Sequence, residues 1–316
     1  MVINLYDESI AQAETLMEIE ELVMEIIEHF KWPNPQSSTS PEQDQFDESF
    51  LNKLALNLMR YLQVFDDRCE YSFPVDVFWQ ACYLVSLLGT YKLMIEKGCT
   101  TMLVELDQMD GLIEMIARLA KSDPYKRKPN DLSYQMRQNN TRLIQYAQAL
   151  HKRYASLLVV RIDFGYLKES MPLIDIDTFY QHQEKLAKYI DTNPLFAHLA
   201  GHARSLEQGR DRGYHSHAVF YFKGYKHRKE YNLIEGIRAI WAEITQEQGT
   251  IYSPNLDKKR LKELGILGVG MIHRAESDEV QNSVNAVSYL TKPDKDQHLR
   301  IRPKGKRVFF AGLSKK

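Results

Sequence analysis

The chain is poor in cysteine: of 316 residues only Cys69, Cys82 and Cys99 carry a thiol, and none stands in a C-x-x-C pair. Their wide, irregular spacing excludes a disulfide framework and a cysteine-based zinc site, and leaves them as small buried hydrophobes. No uncharged apolar run approaches the ~18 residues that a membrane span requires. The first residues, MVINLYDESI, lack the basic start and apolar core of a secretion signal. A cytoplasmic protein with no membrane partner is therefore expected. There is also no overall excess of one charge sign, since the net charge is −1. That balance hides an asymmetry: residues 1–150 hold 13 Lys+Arg against 23 Asp+Glu, so the N-terminal part is acidic and the remainder basic. A basic C-terminal part suits a phosphate backbone, because cationic side chains release condensed counterions. On charge alone, an ordinary solvated surface fits as well.

What is present divides in two. From Ser9 to Phe30 the residues Ile10, Leu16, Ile19, Leu22, Val23, Ile26 and Ile27 recur at helical spacing opposite an acidic face. A Pro-, Ser- and Gln-rich loop follows from Trp32 to Asp44, and then helical patterns at 47–66, 75–98 and 102–121, with no strong strand pattern. Residues 1–125 read as an all-helical N-terminal domain whose apolar runs offer a surface for a partner or a second copy. The segment KSDPYKRKPNDL, Lys121 to Leu132, combines two prolines with a basic cluster and reads as a linker. Beyond it, residues 131–316 form the second domain. After a helix from Tyr134 to Tyr154 come strands at 157–164, 198–207, 214–222, 266–273 and 307–313, with helices at 176–190, 230–247 and 278–291 between them. Strands mixed with helices and one hairpin define an α+β fold with a central antiparallel sheet flanked by helices.

The sharpest local pattern is GYHSHAVFYF, with His215 and His217 two residues apart at the start of an apolar run. On a strand, side chains at i and i+2 share a face, so both imidazoles can reach one metal ion. Alone, the pair equally fits two exposed histidines beside a turn. Upstream, ARSLEQGRDRGYHSH reads as a hairpin; a turn centred on Gln208 to Arg212 sets Glu207 opposite Gly213 and Ser205 opposite His215. Glu207 then joins the histidines' face, completing a two-imidazole, one-carboxylate set for Mg²⁺ or Mn²⁺. A slip of one residue would turn Glu207 away.

A second pattern, Tyr289-Leu290-Thr291-Lys292, ends the helical segment DEVQNSVNAVSYLTK. Residues three apart neighbour each other on a helix, so Lys292 can lie beside the Tyr289 hydroxyl or the phosphate it attacks. A cation there favours the phenolate, the nucleophilic form of a group whose free pKa is about 10. Taken alone, Tyr289 reads better as a core tyrosine, and Tyr125 with Lys128 has the same spacing.

Order joins the two patterns. An apolar strand (LLVVRIDF), then H-x-H opening another strand (HSHAVFYF), then Y-x-x-K (YLTK) resembles the HUH endonucleases that initiate rolling-circle replication. Around RIDFGY, EQGRDRGYHSHAVFYF and NAVSYLTKPD the chain is similar to the prophage-borne inovirus-type replication proteins, or YagK/YfjJ C-terminal domain group. The resemblance covers residues 140–316. It implies that His215 and His217 ligate a catalytic Mg²⁺ or Mn²⁺ with Glu207 as third ligand, that Tyr289 is the nucleophile, and that Lys292 supports it. Pro293 stands where relatives with two tyrosines carry the second, which implies a single-tyrosine enzyme. The implied reaction nicks and rejoins single-stranded DNA or an origin hairpin through a 5′-phosphotyrosine link, initiating replication of a phage or mobile element. The helical domain would then bind a host helicase or a second copy. Flanking DNA contacts are expected from Lys223, Tyr225, Lys226, Arg228, Lys295 and Arg300, whereas Arg161 and Asp163 are expected to be structural. The alternatives are a relaxase or transposase with the same chemistry, and a DNA-binding regulator whose nuclease site has decayed. A barrel hydrolase is set aside, because only about 100 residues follow His217 and a (β/α)₈ barrel needs about 250.

Overall fold

In the computed structural model the described residues are 2–4, 11–32, 46–99, 101–227, 229–288, 290 and 298–313. The chain divides into two compact units, Met1–Asp131 with Arg300–Lys304, and Leu132–Leu299 with Gly305–Lys316.

The first unit contains β1 (Val2–Asn4), α1 (Gln12–His29), α2 (Glu48–Gln63), β2 (Cys69–Tyr71), α3 (Phe73–Leu84), α4 (Leu87–Glu96), β3 (Thr101–Leu103) and α5 (Leu106–Ala120). Helix α1 is amphipathic as its sequence requires: Leu16, Ile19, Val23 and Ile26 are buried on one stripe. Helix α3 is apolar nearly all round and is buried through Val75, Val77, Phe78, Trp79, Ala81 and Cys82, as a central helix must be. The helical pattern at 75–98 resolves into two helices, broken at Ser86, which adopts a left-handed φ of 63°. Two short antiparallel ladders were not legible in the sequence: β1 pairs with β3, and β2 pairs with a strand from the far end of the chain, β9 (Ile301–Pro303). A three-residue strand shows almost no alternation, and its partner here lies some 230 residues away.

The expected linker is helix instead. Helix α6 runs from Asp123 to Arg153, through the point where the two units divide. Pro124 falls in its first turn, where a missing amide donor costs nothing, and the Ser122 carbonyl accepts from the amides of Tyr125 and Lys126 at 3.1 Å each. Lys128 of the basic cluster pairs with Asp76. Proline and lysine together marked a helix start, not a loop.

The second unit is built on a six-stranded antiparallel sheet. Its strands are β4 (Ser156–Tyr166), β5 (Leu199–Gly209), β6 (Gly213–Lys223), β7 (Gly249–Tyr252), β8 (Gly270–His273) and β10 (Phe309–Leu313). The order is β10-β5-β6-β4-β7, and β8 shares the β4 edge with β7. Helices α7 (Ile176–Thr192) and α8 (Glu230–Thr245) cover one face. There Trp241 meets Phe164 and Tyr166, and Phe179 stacks on Tyr214. On the other face Leu143, Ala147 and Leu150 of α6, with Val284 and Val287 of α10 (Ser277–Ser288), pack on Leu157, Val159, Ala203, Val219 and Tyr221. Coverage of both faces explains the unbroken apolar run LLVV at 157–160, where a half-exposed strand would alternate. The remaining helix, α9 (Lys258–Glu263), is a short surface turn.

Strands β7 and β8 pair with opposite ends of one edge of β4, at 163–166 and 156–159, and leave the middle of that edge without a strand, while β6 pairs along the other edge. Two buried side chains fill the gap. Asn255 accepts from the Arg161 amide (2.9 Å) and donates to the Val159 carbonyl (2.8 Å), while the Ser253 hydroxyl donates to the Arg161 carbonyl (2.7 Å). The edge is thereby satisfied without a further strand.

Candidate metal centre

The centre rests on the β5–β6 hairpin and the β4 strand beside it. Three residues, Arg210 to Arg212, connect Gly209 to Gly213. The Arg212 amide donates to the Gly209 carbonyl (3.4 Å), and Gly213 then takes φ 54°, the left-handed position that favours glycine in three-residue hairpins. The observed register pairs Glu207 with His215 and Ser205 with His217, two residues away from the expected pairing. A shift of two leaves every side chain on its face, because the strand period is two, so the expected grouping survives. Register with β4 sets Asp163 opposite His217 and Arg161 opposite Val219. One sheet face therefore carries Ser205, His217 and Asp163 in one row, Glu207 and His215 in the row toward the hairpin, and Ala203, Val219 and Arg161 in the row toward the apolar core.

Glu207, His215 and His217 come together as the sequence suggested. Each offers a ligand atom, these atoms lie within 4.8 Å of one another, and the residues are 4%, 2% and 3% exposed. The His217 Nε2 atom is 3.3 Å and the His215 Nε2 atom 3.8 Å from the same carboxylate oxygen, Oε2 of Glu207. The opposite ring nitrogens are held from behind. His215 Nδ1 is 3.1 Å from the Gly213 carbonyl, and His217 Nδ1 is 2.7 Å from Asp163 Oδ1, a contact at hydrogen-bond distance but off the hydrogen-bond direction. Ser205 donates to the second Glu207 oxygen at 3.4 Å.

The electrostatics follow. Burial, with His217 as a cationic neighbour, pushes the His215 imidazole down to about 4, so it is neutral and keeps a lone pair for a metal. Burial also opposes charge on His217, but the Asp163 and Glu207 carboxylates outweigh it and the net shift is upward. Burial would raise Asp163, yet His217, Arg161 and Arg212 hold it below the usual carboxylate range. Without a cation, the neighbouring carboxylates favour a proton on His217. The donor chemistry fits a divalent cation: two imidazole nitrogens and one carboxylate oxygen converge, and His215 Nε2 and both His217 ring nitrogens are buried with no aligned hydrogen-bond partner. A carbonyl behind one imidazole and a carboxylate behind the other is the outer shell that fixes ligand histidines with Nε2 facing a metal.

Asp163 is the member of the centre that sequence reasoning placed among structural contacts. Its parity on LLVVRIDF put it on one of two faces, and only the β4–β6 register shows that the face is that of the histidines. Tyr289, Lys292, Arg228 and Lys295 lie outside the described residues. On either side of Tyr289, Val287 and Leu290 are buried in the core on the centre's face of the sheet. One expected DNA contact is corrected. Arg300 is 1% exposed and pairs with Glu20, so its guanidinium is not offered to DNA. Lys223, Tyr225 and Lys226 stand at or beyond the opposite end of β6 from His215, about 25 Å away at strand rise. His273 pairs with Ser156 at the far end of β4, away from Asp163.

The chain has no significant match among known protein-family models, curated proteins or solved structures. Fold and centre define its class: a mixed α+β protein with a mostly antiparallel sheet flanked by helices, carrying a buried Glu207-His215-His217 group able to hold a metal ion. No described helix is long and apolar enough to cross a membrane.

Proposed function

We propose that the second unit is an HUH-type endonuclease that nicks and rejoins single-stranded DNA with Mg²⁺ or Mn²⁺, in the service of rolling-circle replication of a phage or mobile element. The observation that carries this reading is the convergence of Glu207 on β5 with His215 and His217 of the H-x-H strand β6, in a chain whose later segment presents Tyr289-x-x-Lys292. A bound cation supplies Lewis-acid polarisation of the scissile phosphate. The chain does the rest. Gly213 and Asp163 hold the two imidazoles by their outer nitrogens, and Lys292 favours the Tyr289 phenolate. The bond from the Tyr289 oxygen to phosphorus forms as the bond from phosphorus to the 3′ oxygen breaks. The phenol gives up its proton, and the 3′ oxygen leaves as a hydroxyl that can prime synthesis. The phosphotyrosine link retains the phosphodiester's energy, so attack by a 3′ hydroxyl rejoins the strand. Packing of Val287 and Leu290 on the centre's face supports the assignment of Tyr289.

The test is incubation of the full chain with a pool of labelled single-stranded oligonucleotides and Mn²⁺, followed by a denaturing gel. A covalent protein–DNA band is expected, and it should vanish with Tyr289→Phe and with chelator. Metal-independent binding without covalent product would favour a DNA-binding regulator.

A further inference from the structure

We infer that Arg161 is a substrate-binding residue of the same centre, which takes the phosphate of the DNA strand that the Glu207-His215-His217 set draws in. The inference rests on the endonuclease reading for its substrate and on the sheet register for its geometry. Arg161 occupies the row next to His217 and Asp163 on their face of the sheet, one strand period of about 7 Å toward the apolar core. That core receives Val287 and Leu290, the described residues that bracket Tyr289. Arg161 thus lies between the metal ligands and the core that receives Val287 and Leu290.

Three observations fit a phosphate-holding role. The Arg161 side chain is 20% exposed, in a row whose other members, Ala203 and Val219, are buried. Its Nε is 3.4 Å from Asp163 Oδ1, the oxygen that also faces His217, so one carboxylate aims both the ligand imidazole and the guanidinium. Its backbone pairs with Val219 of β6 on one edge, and on the other edge, between β7 and β8, Asn255 and Ser253 fix its amide and carbonyl. A phosphodiester has two non-bridging oxygens. A cation at the three ligands serves one of them, and a planar guanidinium one row away suits the other, where fork geometry and a permanent charge outperform lysine. Arg212 also approaches Asp163, at 3.8 Å, but it is 54% exposed on the hairpin loop and suits a flanking phosphate better than the reacting one.

The experiment compares the full chain with Arg161→Ala and Arg161→Lys in three measurements. Calorimetric titration with Mn²⁺ alone reads the integrity of the metal set. Broadening of the ³¹P signal of inorganic phosphate by the Mn²⁺-loaded protein reads phosphate capture. Covalent DNA adduct reads chemistry. The expected result is Mn²⁺ affinity within about twofold of the unaltered chain and phosphate affinity lowered about tenfold in Arg161→Ala. Adduct formation should slow by about a hundredfold or more, partly restored by added guanidinium but not by urea. Phosphate capture unchanged in Arg161→Ala would overturn the inference, as would loss of Mn²⁺ affinity in both variants, which would make the residue structural. If the unaltered chain forms no adduct while phosphate capture still depends on Arg161, the endonuclease reading fails and the phosphate site stands.

Discussion

Four imidazoles are buried in the second unit to nearly the same depth, yet they fall into two kinds. His151 on α6 and His182 on α7 each meet one hydroxyl: His151 Nε2 is 3.1 Å from Ser283, and His182 Nδ1 is 3.0 Å from Tyr166. They sit in helices against aromatic and aliphatic neighbours, and each joins its helix to another element. His215 and His217 sit on one strand, two residues apart, with their Nε2 atoms turned toward one carboxylate and no aligned partner for either. All four are at most 8% exposed, so solvent exposure alone does not separate a core histidine from a ligand. The difference lies in where the second nitrogen points. A core histidine finds one neutral partner and is finished, whereas a ligand histidine is anchored through Nδ1 and leaves Nε2 aimed at a shared space. Leaving such atoms unsatisfied costs about 1–3 kcal/mol each, which a bound cation removes.

Substitutions should divide along that line. The largest effect is expected on metal binding: His217→Ala should lower Mn²⁺ affinity by about a hundredfold or more, because one of three ligands and its carboxylate support are lost together. His182→Phe, of equal burial, should leave that affinity within about twofold and instead lower the melting temperature, since the Tyr166 hydroxyl loses its partner. If both substitutions act alike on Mn²⁺, the distinction fails. Next in size is Asn255→Ala, which strips the Arg161 amide and the Val159 carbonyl of their partners. It should cost about 2 kcal/mol in urea unfolding, with metal affinity reduced only slightly. Gly213→Ala should cost about 1 kcal/mol, because a Cβ at φ 54° is strained at the hairpin turn that sets the register of both ligand strands.

A further effect concerns pH. Burial pushes His151 down from its ordinary value of 6.5 to about 4. The native state therefore binds this proton less readily than the unfolded chain. The stability tied to neutral His151 is fully present above pH 6.5 and is lost as pH falls toward 4. A urea-denaturation series across that window should show the decline, and His151→Phe should make it shallower. An unchanged slope would remove His151 from the account.

Much of the centre was legible because strand parity is robust. H-x-H on an apolar strand and a glutamate before a glycine-rich turn specify a face, and a register error of two residues does not change it. The turn itself was misplaced because ARSLEQGRDRGYHSH holds two glycines, Gly209 and Gly213, and only the observed φ marks Gly213 as the left-handed one. The role of Asp163 was out of reach for a different reason: it depends on how β4 aligns with β6, which are 50 residues apart in sequence, and local pattern carries no information about that alignment. The same limit hid the β2–β9 ladder and with it the fate of Arg300, a basic residue whose partner Glu20 is in the first helix. The helix through Lys121–Leu132 shows the converse error. Composition was informative there, but a proline in a first turn and a proline in a loop look alike in sequence.

The central claim is that Glu207, His215 and His217 form one divalent-cation site, and the most direct test is calorimetric titration of the purified full chain with Mn²⁺, alongside a His215→Ala/His217→Ala double variant. The account predicts one site per chain in the unaltered protein, and no site in the double variant with the fold retained by circular dichroism. Binding that is absent from the unaltered chain, or that survives unchanged in the double variant, would contradict it.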